Sequence, residues 1–126
     1  MEQLVTSAAP AAVGPYAQGV RAGDTVYVSG QLGLDPETGT LAPTDTQELM
    51  QALKNAEAVL QAAGLVRTDI VKVTLYVTDM GRFAALNEVY AEFFADHRPA
   101  RSAVEAAALP KGAAVEVDVI AAGRSR

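Results

Sequence analysis

Two side chains in the segment RPARSAVEAAALPKGAAVEVDVIA, residues 98–121, have complementary chemistry. Arg101 follows a proline at the mouth of a β-rich run. Glu116 interrupts the valines of a second run, after a Leu-Pro-Lys-Gly turn. A guanidinium offers parallel N–H donors that match a planar carboxylate, and it stays charged in a cleft. A carboxylate can take a proton from one group and return it to another. The same residues also describe a surface hairpin with ordinary charges on adjacent strands, and spacing alone does not separate the two readings.

Other chemistries are poorly served. The chain has no cysteine, hence no thiolate nucleophile, disulfide or zinc-thiolate site. Its one histidine, His97, falls at the end of an expected helix and reads as a solvated residue favoured by the helix dipole, not as part of a triad. GPYAQG and SGQLG are glycine-bearing turns, without the pattern of a phosphate loop or a dinucleotide fingerprint. No calcium-loop spacing occurs, so no functional metal is expected. What remains is acid–base and electrostatic chemistry by Arg, Glu, Tyr, Ser, Asn and backbone N–H groups.

The net charge of −5 and pI near 4.7 weigh against nucleic-acid or anionic-membrane partners. The start, MEQLVTSAAPAAVG, makes a poor signal peptide, and no run approaches the roughly 20 apolar residues of a membrane span. A cytoplasmic protein is expected. Its 126 residues, without repeat or linker, read as one domain over 1–126.

The elements that must carry these groups follow from periodicity. Thr25–Ser29 is β-rich, with YAQGVRAG as the other arm of a hairpin, and LDPETGTLAP is a loop. Residues 44–63 read as a helix: Thr44 and Gln47, or Asp45 and Glu48, have capping-box spacing. Leu49, Leu53, Ala56, Leu60 and Ala63 share a face, and Gly64 ends it. In 70–77, Val71, Val73, Leu75 and Val77 point one way and Lys72, Thr74 and Tyr76 the other. Asp79 caps a second helix over 81–96, with Phe83, Leu86, Tyr90 and Phe93 as its stripe. Strands near 102–107 and 114–122 complete the order β-β-α-β-α-β-β, an α+β fold with two helices on one face of a sheet. The other face, with Tyr27, Ser29, Lys72, Thr74, Tyr76, Glu116 and Asp118, is left to water or to another subunit.

The blocks GPYAQGV, VSGQL, NAEAVLQAAGL, VTLYVTDM, FAALNEVYAEFF and PARSAVEAAALPKGAAVEVDVIA, in this order, span essentially the whole chain. Together they resemble the RidA family, also called YjgF or reactive intermediate deaminase A. The resemblance implies a chorismate-mutase-like homotrimer, its sheets packed inward as a barrel, with three clefts between subunits. It implies hydrolysis of reactive enamines and imines, chiefly 2-aminoacrylate and 2-aminocrotonate. These are released by pyridoxal-phosphate-dependent dehydratases, and the products are 2-keto acids and ammonia. No cofactor or metal is implied.

Residue by residue, the resemblance assigns Arg101 the substrate carboxylate and Glu116 the attacking water. Tyr16 corresponds to a tyrosine that the neighbouring subunit adds to the cleft wall. Ser29 and Gly30 line the cleft, although a bulge could equally require Gly30. Asn87 matches a common asparagine, touching substrate or capping local backbone. Ala103 stands where many members have cysteine or threonine; a backbone N–H given to the carboxylate survives that change. The segment before Pro99, ADHR, is shorter than in some members, which reshapes the cleft rim. The rival reading is a trimer that binds a keto acid or other small carboxylate without turnover. RNA cleavage fits the acidic balance and single histidine poorly. A purely structural trimer gives no reason to keep an Arg/Glu cleft.

Overall fold

The computed structural model describes residues 1–124. Among these, strands β1 (Glu2–Leu4), β2 (Gly19–Ala22) and β3 (Thr25–Leu32) precede helix α1 (Asp45–Ala62). Strand β4 (Ile70–Val77), helix α2 (Phe83–Phe94), and strands β5 (Ala100–Glu105) and β6 (Val115–Ala122) follow. They form one six-stranded sheet in the order β1-β2-β3-β6-β4-β5. Only β4 and β5 run parallel.

Helix α1 starts where the spacing predicts. Thr44 is its N-cap and accepts from the Gln47 N–H, while Gly64 adopts a positive φ of 75° just past its end. The expected stripe Leu49, Leu53, Ala56, Leu60 and Ala63 is buried. Asp79 caps a single 3-10 turn, Met80–Arg82, before α2 begins at Phe83. Leu86, Tyr90 and Phe93 face the core, against the inward valines of β4 and β6. Both helices cover one face of the sheet, as expected. The other face carries half-exposed Tyr27, Val71 and Val104 beside Lys72, Thr74, Tyr76 and Asp118. No helix among the described residues is long and apolar enough to cross a membrane.

Four expectations need correction. A short additional strand, β1, pairs with β2. At the start of β4 a register shift between Ile70 and Lys72 turns Ile70 into the core and leaves Val71 outside, against simple alternation. Helix α2 ends at Phe94, and His97 lies three residues beyond it. Its Nε2 sits 2.7 Å from the Ile70 carbonyl oxygen, which makes it a partly buried connector and not a solvated helix end.

The largest correction concerns residues 98–121, which are not a hairpin. β5 begins at Ala100 and pairs in parallel with β4, at the edge of the sheet. β6 is inserted between β3 and β4, antiparallel to both. The reason is burial. Val115, Val117, Val119 and Ala121 are shielded completely or nearly so, and such a strand needs neighbours on both sides. Every residue of β5 is exposed, which suits an edge.

Candidate active site

In the register, Arg101 pairs with Val73, which faces the helices. Its side chain therefore rises on the helix side of the edge strand and meets α2. One Nη1 donates to Asn87 Oδ1 at 2.6 Å. The guanidinium carbon lies 4.7 Å from the Tyr90 ring centroid and 5.2 Å from that of Phe83. Stacking on aromatic faces and a fixed acceptor hold the fork in one orientation while leaving donors free. Asn87, Tyr90, Ala91, Arg98, Pro99 and Arg101 line a cavity of about 480 Å³. Asn87 neither caps backbone nor stands alone; it orients Arg101.

Ala103 lies two residues on, exposed on the same edge. The Ala106 N–H donates to the Val77 carbonyl. By strand alternation, the N–H groups of Arg101 and Ala103 then point to the open edge, available to a ligand. The alanine keeps that donor.

Glu116 pairs with Tyr76 on β4 and Leu32 on β3, on the face away from the helices. Its carboxylate is half-buried and has no hydrogen-bond partner among the described residues. Burial pushes its pKa up from the ordinary glutamate value, and the nearby Asp118 charge adds to the push. Asp118 itself accepts from the Tyr76 hydroxyl at 3.2 Å. Such a group is nearer to exchanging a proton at working pH than a solvated glutamate.

Gly30 sits in a β3 irregularity between Val28 and Gln31. A Cβ there would come 2.8 Å from Glu116 Oε2, so the glycine is required by the carboxylate's approach. The Ser29 hydroxyl donates to the Ala17 carbonyl at 2.5 Å and its N–H to the Gln18 carbonyl at 2.9 Å, which pins the loop carrying Tyr16. Tyr16 is 54% exposed. It shares with Gly30, Lys111 and Glu116 a second cavity of about 360 Å³.

Sequence reasoning missed Gln18, which is buried. Its side chain accepts from the Thr6 N–H and donates to the carbonyls of Thr6 and Pro10, so it folds the chain before Tyr16 into a wall. It stands inside GPYAQG, but only a buried polar position would have marked it. Arg98 and Tyr90, which share the Arg101 cavity, were missed as well.

The candidate residues thus fall into two groups. Arg101, Asn87 and Ala103 gather on the helix side of the edge strand; Glu116, Gly30, Ser29 and Tyr16 gather on the opposite face. β4 lies between β5 and β6, and Arg101 is three register steps from Glu116. At usual strand spacing and rise, their backbones are roughly 14 Å apart. One small substrate cannot touch both groups within one chain.

Comparison with known proteins follows the same lines. The family model described as Endoribonuclease L-PSP matches residues 6–123. The 2-iminobutanoate/2-iminopropanoate deaminase of Salmonella typhimurium is 46% identical over 124 residues, covering 96% of this chain and 97% of that protein. The crystal structure of the YjgF gene product from E. coli superposes with a TM-score of 0.95 at 42% identity, covering 98% of this chain and all of that one. E. coli TdcF with bound serine gives a TM-score of 0.94 at 41% identity, covering 97% of this chain and 98% of that one. With a family match over nearly the whole chain, and relatives alike in both sequence and fold, this protein belongs to the RidA (YjgF) family.

Proposed function

We propose that the protein is an imine deaminase that hydrolyses 2-imino acids and their enamine tautomers, 2-aminoacrylate among them, to 2-keto acids and ammonia. Its substrates come from pyridoxal-phosphate-dependent dehydratases. The observation that carries this reading is the split site. A cation held ready for a carboxylate and an unpartnered, desolvated carboxylate lie on opposite faces of one sheet. A second copy brings them together. The open face carries half-exposed Tyr27, Val71 and Val104, apolar area suited to burial between subunits. A homotrimer with three intersubunit clefts, each with Arg101, Asn87 and Ala103 from one chain and Tyr16, Ser29, Gly30 and Glu116 from the next, meets the requirement.

In such a cleft Arg101 takes the substrate carboxylate through paired N–H bonds, aided by the Ala103 N–H. Glu116 accepts a proton from water as its oxygen bonds to C2. The imine nitrogen, protonated, becomes the amine of a tetrahedral adduct. Glu116 then returns that proton to the nitrogen, the C2–N bond breaks with its electron pair going to the departing ammonia, and the adduct hydroxyl gives its proton back to Glu116 as the C2 carbonyl of the keto acid forms. Positioning and electrostatics supply the acceleration; the residues named need no cofactor or metal.

The test couples an amino-acid oxidase, which generates imino acids, to semicarbazide, which traps the survivors. Slower trapping with the wild type and not with Arg101→Ala supports the reading. Unchanged trapping across several amino acids refutes turnover. A second reading, a trimer that binds a small carboxylate without turnover, is favoured by one observation: the relative TdcF was crystallised with serine bound. Titration with keto acids would then measure it.

A further inference from the structure

The cavity beside Arg101 holds more positive charge than one carboxylate needs. Two of its six lining residues, Arg98 and Arg101, are cations, and none is acidic. Arg67, Arg82 and Arg124 are each ion-paired with a carboxylate. Arg98 and Arg101 have no such partner among the described residues, in a chain of net charge −5. Uncompensated cations sharing one concave surface repel each other until an anion enters.

Tyr90 adds a second, independent sign. The residue is 7% exposed, and its hydroxyl is buried without a hydrogen-bond partner among the described residues. A buried hydroxyl left unpaired is rare in a folded chain. Burial pushes the phenol pKa up, the charges of Arg101 and Arg98 offset part of that push, and the hydroxyl remains a donor on a residue that lines the same cavity as both cations.

The loop that carries Arg98 is held in an unusual shape. Ala95 has φ 55° and ψ −115°, a conformation normally left to glycine. Arg98 Nη1 donates to the carbonyls of Ala95 and His97. Both belong to its own exposed connection, and a ligand anion can replace them without disturbing the core.

We propose that Arg98 is a specificity-determining residue. With the Tyr90 hydroxyl it forms a second anion subsite next to Arg101, and the pocket favours imino acids that carry a carboxylate on their side chain. The inference rests on the imine-deaminase reading above. Arg101 holds the carboxylate next to the reacting carbon, and Arg98 holds the distal one. A substrate with an alkyl side chain fills the first subsite only.

Calorimetric titration with 2-oxoglutarate and 2-oxobutanoate, product-like acids with and without a distal carboxylate, tests the subsite apart from turnover. The wild type is expected to bind 2-oxoglutarate about tenfold more tightly, the worth of one charge-assisted contact. Arg98→Ala should remove that preference by weakening 2-oxoglutarate alone, and Arg98→Lys should keep part of it. Equal affinities in the wild type, equal weakening of both acids in Arg98→Ala, or no binding of either acid overturns the subsite. The coupled assay, run with glutamate and with 2-aminobutyrate as the oxidase substrates, separates the two claims. Failure with both imines removes the deaminase reading, while the titration still decides the second subsite.

Discussion

The two candidate half-sites differ in how each holds its charge. Arg101 stands on an exposed edge strand and is fixed from above by α2, through Asn87 and two aromatic rings. Glu116 stands on a central strand and is flanked from the sides, where Gly30 and the loop pinned by Ser29 and Gln18 leave it half-buried and without a hydrogen-bond partner among the described residues. A guanidinium keeps its charge wherever it is placed, so it needs orientation. A carboxylate is useful when its proton affinity rises, so it needs desolvation. The half-site proposed to bind is therefore built on a surface, and the half-site proposed to move protons is built into a sheet.

The largest break in this comparison comes from removing the oriented cation. Arg101→Ala should lower kcat/KM by about 10²–10³-fold, because the charge-assisted bonds to the carboxylate next to the reacting carbon are lost. Arg101→Lys should recover only part, since a point charge lacks the planar match. Steady-state kinetics in the semicarbazide assay measure both.

Glu116→Gln should lower kcat by about 10²-fold with little change in KM, the mark of a group used in the proton transfers. The acid limb of the wild-type kcat/KM profile should lie above the ordinary glutamate range and vanish in the variant. Stability gives an opposite signature. Because the folded-state pKa is raised, the contribution of Glu116 to stability is fully present in acid and is lost as pH rises through the folded pKa. Glu116→Gln should therefore melt at a higher temperature than wild type at neutral pH and show no advantage in acid. A variant that is less stable at neutral pH would contradict the desolvated carboxylate.

Mixing the two inactive chains sharpens the comparison further. If the half-sites meet across a subunit boundary, random trimers of Arg101→Ala and Glu116→Gln chains contain intact clefts, and activity should return to about one quarter of wild type. Mixing confirmed by native mass spectrometry without any recovery would refute a cleft shared by the two half-sites.

A smaller contrast comes from two glycines. A Cβ at Gly33 would lie 2.4 Å from the Glu48 backbone, which cannot yield. Gly33→Ala should cost about 1–3 kcal/mol of stability, read by denaturant melts. At Gly30 the obstacle is the tip of the flexible Glu116 side chain, so Gly30→Ala should leave stability nearly unchanged and reduce kcat by about tenfold as the carboxylate is displaced. Equal stability losses at the two positions would refute the assignment of Gly30 to the carboxylate's approach.

Much of this was legible in the sequence because it is local. Periodicity and capping placed α1 and the body of α2. The valine alternation of β6 marked a buried strand with Glu116 and Asp118 on its other side. The identities and order of the blocks around Tyr16, Ser29, Gly30, Asn87, Arg101, Ala103 and Glu116 carried the family resemblance, which the match over residues 6–123 bears out. Gln18, Arg98 and Tyr90 were not legible as site residues, since burial and shared cavities are properties of the folded chain.

What only the tertiary structure decided is which strands are neighbours and which faces the charges share. Arg101 and Glu116 are separated by one turn and read as partners on a hairpin. The fold instead sends β6 between β3 and β4 and leaves β5 at the edge. The choice depends on burying the valines of β6 on both flanks, a long-range energy that no local pattern records. A strand's alternation fixes which side chains share its face. Pairing with distant strands fixes which face that is, and here it set the cation and the carboxylate on opposite sides of one sheet.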